Sequence, residues 1–132
     1  MHFNIVPAYL FFAVLILAVE KGLSTFSAQT LATCQARIGY GGNYYYINDD
    51  LSREGKCFLA CLLETEGMMR NGVIDRAATI NFINQWSYGN EEMRQRFITI
   101  VDECINQVAP NSDSCEYAFQ YMRCKVSRSW GK

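Results

Sequence analysis

The sequence predicts an all-α domain, a compact bundle of five to six short helices, on three observations. Apolar residues recur at helical spacing along most of the chain after residue 28, strand-like alternation is nearly absent, and all six cysteines lie downstream of an N-terminal apolar run. The 132 residues suit one domain, and a second core would be hard to build. With 50% apolar and 19% charged residues, disorder is excluded. A formal net charge of −1 supplies no electrostatic footprint for nucleic acid.

Residues 1–27 read as a secretory signal peptide. Val6 to Val19 is the longest apolar run, and it is shorter than the roughly 18 to 20 residues a bilayer span requires. No Lys or Arg precedes it, and as a membrane anchor it would lack a second charged flank, so no stable membrane insertion is expected. Candidate cleavage sites fall between residues 22 and 28, among Gly22-Leu23-Ser24 and Thr25-Phe26-Ser27-Ala28. Residues 28–132 form the domain.

Within it, Ala28 to Ile38 is a short helix ended by Gly39, Gly41 and Gly42. Tyr44-Tyr45-Tyr46-Ile47 is the one β-prone run. Asp49 to Leu51 begin a short helical turn or lead directly into a helix from Glu54 to Met68. That helix sets Cys57, Phe58, Cys61, Leu62 and Leu63 on one side, with Glu64 and Glu66 opposite. Gly67 in its final turn weakens it slightly. Asn71-Gly72 signals a turn, and Asp75 caps a helix running to about Trp86. Asn90 caps the next, with Glu91 and Glu92 at its positive end. Met93, Phe97, Ile100, Val101, Cys104, Ile105 and Val108 follow the helical repeat. Past Pro110, Asn111-Ser112-Asp113 starts a last helix from Ser114 to about Val126.

The single histidine is His2, inside the segment expected to be removed. The mature chain therefore lacks the commonest general base and metal ligand, and Ser-His, Cys-His and His-metal arrangements are unavailable. Catalysis would need a carboxylate pair, from Asp49, Asp50 and Glu54 or from Glu64 and Glu66, of the kind glycoside hydrolysis uses. Acidic residues at helix starts and on solvated faces account for all of these. No enzymatic activity and no cofactor are expected.

Export places the cysteines in an oxidising compartment, where an even number reads as a disulfide set. A zinc site on Cys57-x3-Cys61 would need thiolates alone and leave two cysteines over. Cys57 and Cys61 share a helix face, so each reaches a different partner. Cys115 and Cys124, nine apart, project from opposite sides at roughly 100° per residue. Six cysteines allow about 15 pairings, and spacing does not choose among them. The last helix is apolar on both sides, with Ala118, Phe119 and Met122 on one and Tyr117 and Tyr121 towards the other, so it is buried among neighbours. Long-loop disulfides add roughly 2 to 4 kcal/mol each. Empty volume costs about 24 cal/mol per Å³. Cross-links of this strength permit a hollow core.

The order Cys34-x22-Cys57-x3-Cys61-x42-Cys104-x10-Cys115-x8-Cys124 resembles the insect odorant-binding and pheromone-binding proteins, whose x3 and x8 gaps are diagnostic. Asn71-Gly72-Val73-Ile74-Asp75 resembles that family's turn before a helix, and Cys115-Glu116-Tyr117-Ala118-Phe119 its last-helix opening. The x10 gap is slightly longer than the family's usual spacing, which lengthens one loop. The resemblance implies interlocked bridges Cys34–Cys61, Cys57–Cys115 and Cys104–Cys124 around an apolar cavity. It also implies a secreted, extracellular carrier of small apolar ligands, delivering them through aqueous fluid to a membrane odorant receptor, as a monomer or weak homodimer.

Counted from the cysteines, the resemblance assigns ligand contact to Ile83, Trp86, Met93, Phe97, Ile100, Val101, Phe119 and Met122, with Phe58 in support. Each also reads as ordinary core. Tyr121 or Tyr88 is the candidate hydrogen-bond donor to a ligand oxygen. The tyrosine run at 44–46 reads as a loop packed on a neighbouring helix, and Val126 or Trp130 as a partial lid. Without a mature histidine, ligand affinity is expected to vary weakly between about pH 6 and 8. Alternatives are a secreted scavenger, a signalling or interaction protein on the same scaffold, and a saposin-like lipid-interacting protein. Saposin-like cysteines pair near both chain ends, unlike these.

Overall fold

The computed structural model describes residues 26–42 and 47–130. The apolar run and cleavage region up to residue 25, the tyrosine run at 44–46 and the side chain of Trp130 lie outside the described residues. Five helices and one minimal hairpin make up the described fold: α1 (Ala28–Ile38), α2 (Arg53–Thr65), β1 (Met69–Arg70), β2 (Val73–Ile74), α3 (Arg76–Trp86), α4 (Glu91–Gln107) and α5 (Ser114–Trp130).

Each helix starts where a short polar side chain satisfies an orphan amide. Ser27 Oγ accepts from Thr30 N at 3.1 Å, Ser52 Oγ from Gly55 N at 3.1 Å, and Asp75 Oδ1 from Ala78 N at 3.0 Å. Asn90 Oδ1 accepts from Met93 N at 2.9 Å, and Asp113 Oδ1 from Cys115 N at 3.0 Å. Phe26, ahead of the first cap, is buried in the core. Glu66 is not a solvated-face residue. Its Oε2 accepts from Ser27 N at 3.0 Å and Thr30 Oγ1 at 3.1 Å, tying the start of α1 to the end of α2.

Two expected boundaries need correction. The second helix ends at Thr65 rather than Met68, because Gly67 is the residue beyond its C-cap and takes φ 81°. Gly67 N donates to Glu64 O at 3.0 Å and Met68 N to Leu63 O at 2.9 Å, which closes the helix in a Schellman motif. Asn71-Gly72 then does more than turn the chain. Both residues have positive φ, 53° and 80°, the twist that a two-residue hairpin needs, and Met69 pairs with Ile74 across it. The last helix runs four residues past Val126. Its final turn is fastened to α4, where Arg128 Nη1 meets Glu103 Oε1 at 3.0 Å and Arg128 also donates to Gln107 Oε1.

The core centres on α2, whose residues Phe58 to Leu63 are all buried. Helix α5 packs on it most extensively, α1 covers it from another side, and α4 bridges α3 and α5. All six cysteines are bridged: Cys34–Cys61 joins α1 to α2, Cys57–Cys115 joins α2 to α5, and Cys104–Cys124 joins α4 to α5. These are the three pairings that the resemblance implies. The opposite-facing cysteines of α5 reach two different helices, α2 and α4. Helix α3 carries no bridge and is held by the Arg76–Asp102 fork, at 2.5 and 3.0 Å, and by its apolar face.

Candidate ligand-binding site

Phe58, Ile100, Phe119 and Tyr121 belong to one continuous buried cluster, with Phe97 and Met122 packed against it. These side chains come from α2, α4 and α5. Ile83 and Val101 are buried on α3 and α4 outside that cluster. Trp86 ends α3 with its ring edge-on to Phe97 of α4, centroids 5.0 Å apart, so the two unbridged ends meet through aromatic contact. Trp86, Met93, Phe97 and Met122 are half-buried and keep accessible apolar surface. Phe58 packs against Tyr40 at 5.6 Å. Phe119 lies beneath cations, with Lys56 Nζ 4.4 Å and the Arg123 guanidinium 6.0 Å from its ring centre.

Three polar side chains of α5 fall on one stripe, Tyr117, Tyr121 and Lys125, each a helical turn from the next. Tyr117 Oη accepts from Ile74 N at 3.3 Å and pins the hairpin to α5. Tyr121 is 1% exposed, and its hydroxyl has no hydrogen-bond partner. Desolvation, with the neighbouring Tyr117 and Asp102, raises its pKa well above the phenol range, so it stays a neutral donor.

Lys125 lays its ammonium over the Tyr121 ring, 5.5 Å from the centroid. Its side chain leans back towards the preceding turn, as helical geometry favours. Among the described residues it forms no ion pair and no hydrogen bond. Desolvation alone pulls its pKa down to about 8. Asp102 does not serve it, because that carboxylate is held below its usual range chiefly by the Arg76 hydrogen bond. The sequence reading reached Tyr121 but missed Lys125. The available signal was the four-residue spacing from Tyr117 through Tyr121, which carries Lys125 onto the buried stripe.

Tyr88, the other candidate donor, is 92% exposed in the turn between α3 and α4. It sits on an open cleft of about 400 Å³ lined by Asn84, Ser87, Gly89, Asn90, Glu91 and Arg94. None of the apolar ligand candidates lines that cleft. Its rim is polar, with Arg94 bonded to Asn84 at 2.6 Å and to Glu91 at 2.9 Å. Of the carboxylates considered for catalysis, Asp49 pairs with Arg123 at 2.8 Å and Glu66 holds α1, while Asp50, Glu54 and Glu64 are exposed. No described helix is long and apolar enough to cross a membrane.

Among solved structures, the chain is similar to the odorant-binding protein dmelOBP28a from Drosophila melanogaster. The TM-score is 0.65 at 20% identity, covering 83% of this chain and 93% of that one, a likeness of fold. No curated protein sequence matches this one. The PBP/GOBP family matches residues 28–127, a span that runs from the first residue of α1 to the last turns of α5 and takes in all three bridges. By that match, and by the helical fold and the interlocked disulfides that accompany it, this chain belongs to the PBP/GOBP family.

Proposed function

We propose that this protein is a secreted carrier that takes up small hydrophobic ligands in an internal pocket of the helical bundle and transports them through aqueous fluid. The observation that carries the reading is the family match over residues 28–127 on a chain with all six cysteines bridged. Membership alone supports a small ligand carrier. The side chains support the rest: half-buried Trp86, Met93, Phe97 and Met122 offer adaptable apolar surface, and buried Tyr121 offers one unspent donor. Ile83, Ile100, Val101, Phe58 and Phe119 complete the proposed lining. A membrane odorant receptor is the proposed recipient, and a monomer or weak homodimer the proposed state.

Secretion rests on the apolar run at residues 6–19 and on three disulfides, which need an oxidising compartment to form. Phe26 in the core and Ser27 at the α1 cap favour cleavage upstream of residue 26, within the expected window. N-terminal sequencing of the exported protein tests this; a mature chain starting at Ala28 would refute it. For the carrier reading the test is uptake of the fluorescent apolar probe N-phenyl-1-naphthylamine and its displacement by volatiles. Saturable uptake with displacement supports the reading. Absence of uptake by the oxidised, folded protein, or liposome leakage without uptake, would refute it.

A further inference from the structure

Two donors on the buried stripe of α5 lack acceptors, and both lie on the same side of the helix. The Tyr121 hydroxyl is buried and unpartnered. The Lys125 ammonium is 5.5 Å from the centre of that same ring and finds no carboxylate or other acceptor among the described residues. A half-buried cation with no acid partner carries a desolvation cost, and so does a buried, unsatisfied hydroxyl. Apolar substitution at either position would remove the cost, so the pair calls for a ligand that repays it.

We propose that Lys125 and Tyr121 form the polar end of the ligand pocket, selecting apolar molecules that terminate in a carboxylate, such as medium-chain fatty acids. This rests on the carrier reading above and deepens it by naming the ligand class. A carboxylate has two oxygens and accepts from two donors at once, at roughly 2.7–2.9 Å for the ammonium. One oxygen takes the Lys125 N–H and the other the Tyr121 O–H, while the chain extends among apolar side chains. An ester or a primary alcohol accepts from the same donors but brings no charge to pair with the ammonium. The other polar groups that act on Tyr121 are already engaged. Asp102 is forked by Arg76, and the neutral Tyr117 hydroxyl is used by Ile74 N. A ligand carboxylate is therefore the acceptor that the stripe lacks.

Desolvation of Lys125, which brings its pKa to about 8, is the same fact seen without ligand. A bound carboxylate stabilises the ammonium and raises that pKa again.

The test is displacement of N-phenyl-1-naphthylamine at pH 7 by dodecanoic acid, methyl dodecanoate and 1-dodecanol. Wild type is expected to bind the acid about 10-fold more tightly than the methyl ester, the size of a charge-assisted pair out of water. In K125M the acid-to-ester ratio collapses to near one, in K125R it is largely retained, and in Y121F it shrinks about threefold. Equal binding of acid and ester by wild type, or an acid preference surviving in K125M, overturns the proposal while leaving the carrier reading intact. Lack of probe uptake by wild type fails the carrier reading itself, and the proposal with it. The wild-type ratio needs no variant, so a misfolded substitution does not shield the idea.

Discussion

Replacing Lys125 with Met should stabilise the unliganded protein. The ammonium lies over the Tyr121 ring, has no acid partner among the described residues, and titrates near 8 instead of 10.5. At about 1.4 kcal/mol per pH unit, holding it charged at pH 7 costs roughly 3 kcal/mol. Partial accessibility of the side chain and attraction to the ring offset some of this, so a gain of about 1–2 kcal/mol is expected from Lys125→Met, whose stem still packs. The sign with pH follows from proton counting. Below about 8 both folded and unfolded chains hold the proton, and the full penalty applies. Between about 8 and 10.5 the folded chain has lost it while the unfolded chain keeps it, so wild-type stability rises with pH and the mutant's advantage fades. Tyr121 acts in the opposite direction near its own titration, but it is common to both proteins and cancels in the difference. Urea denaturation with the disulfides intact, at pH 7, 8, 9 and 10, measures this directly. A variant no more stable than wild type at pH 7, with a difference that stays flat across the series, would refute the reasoning.

Other positions give independent checks. Gly67→Ala should cost about 1 kcal/mol in urea denaturation, since the residue sits at φ 81° and an added Cβ would meet only Arg70 Nη2 at an ordinary contact distance of 3.9 Å, so the penalty is conformational. Replacing both Cys104 and Cys124 with Ala removes a 20-residue cross-link and should lower stability by about 3 kcal/mol, read as a drop in Tm. Arg76→Ala should shift acid unfolding to higher pH: the hydrogen bond from Arg76 keeps Asp102 ionised, stabilising the fold above the ordinary carboxylate pKa and failing as pH falls through the lowered native value. Affinity for an uncharged ligand such as 1-dodecanol should stay nearly flat between pH 6 and 8, and a steep loss centred near 6.5 would contradict a mature chain without histidine.

Much of the fold was readable in advance for local reasons. Asp75 and Asn90 mark helix starts because a capping side chain acts within three residues, and Gly39 ends α1 at φ 75° where a left-handed residue is needed. The errors have local causes too. In the sequence Gly67 reads only as a weak helix residue, whereas its conformation makes it the terminator, and two-residue strands leave no alternating pattern to mark the hairpin. The pairing of the cysteines came from resemblance, and the structure bears it out.

Short-range chemistry in the chain determined that it would be helical and cross-linked. Which apolar residues retain accessible surface and which are sealed depends on how five helices meet, and that is a long-range property. Trp86 and Phe97 face each other only because α3 folds back on α4. Lys125 reads in the sequence as one more surface cation near the C-terminus. Helical spacing lays it on the Tyr121 ring, but only tertiary packing half-buries it, because desolvation is a sum over neighbours that are distant along the chain.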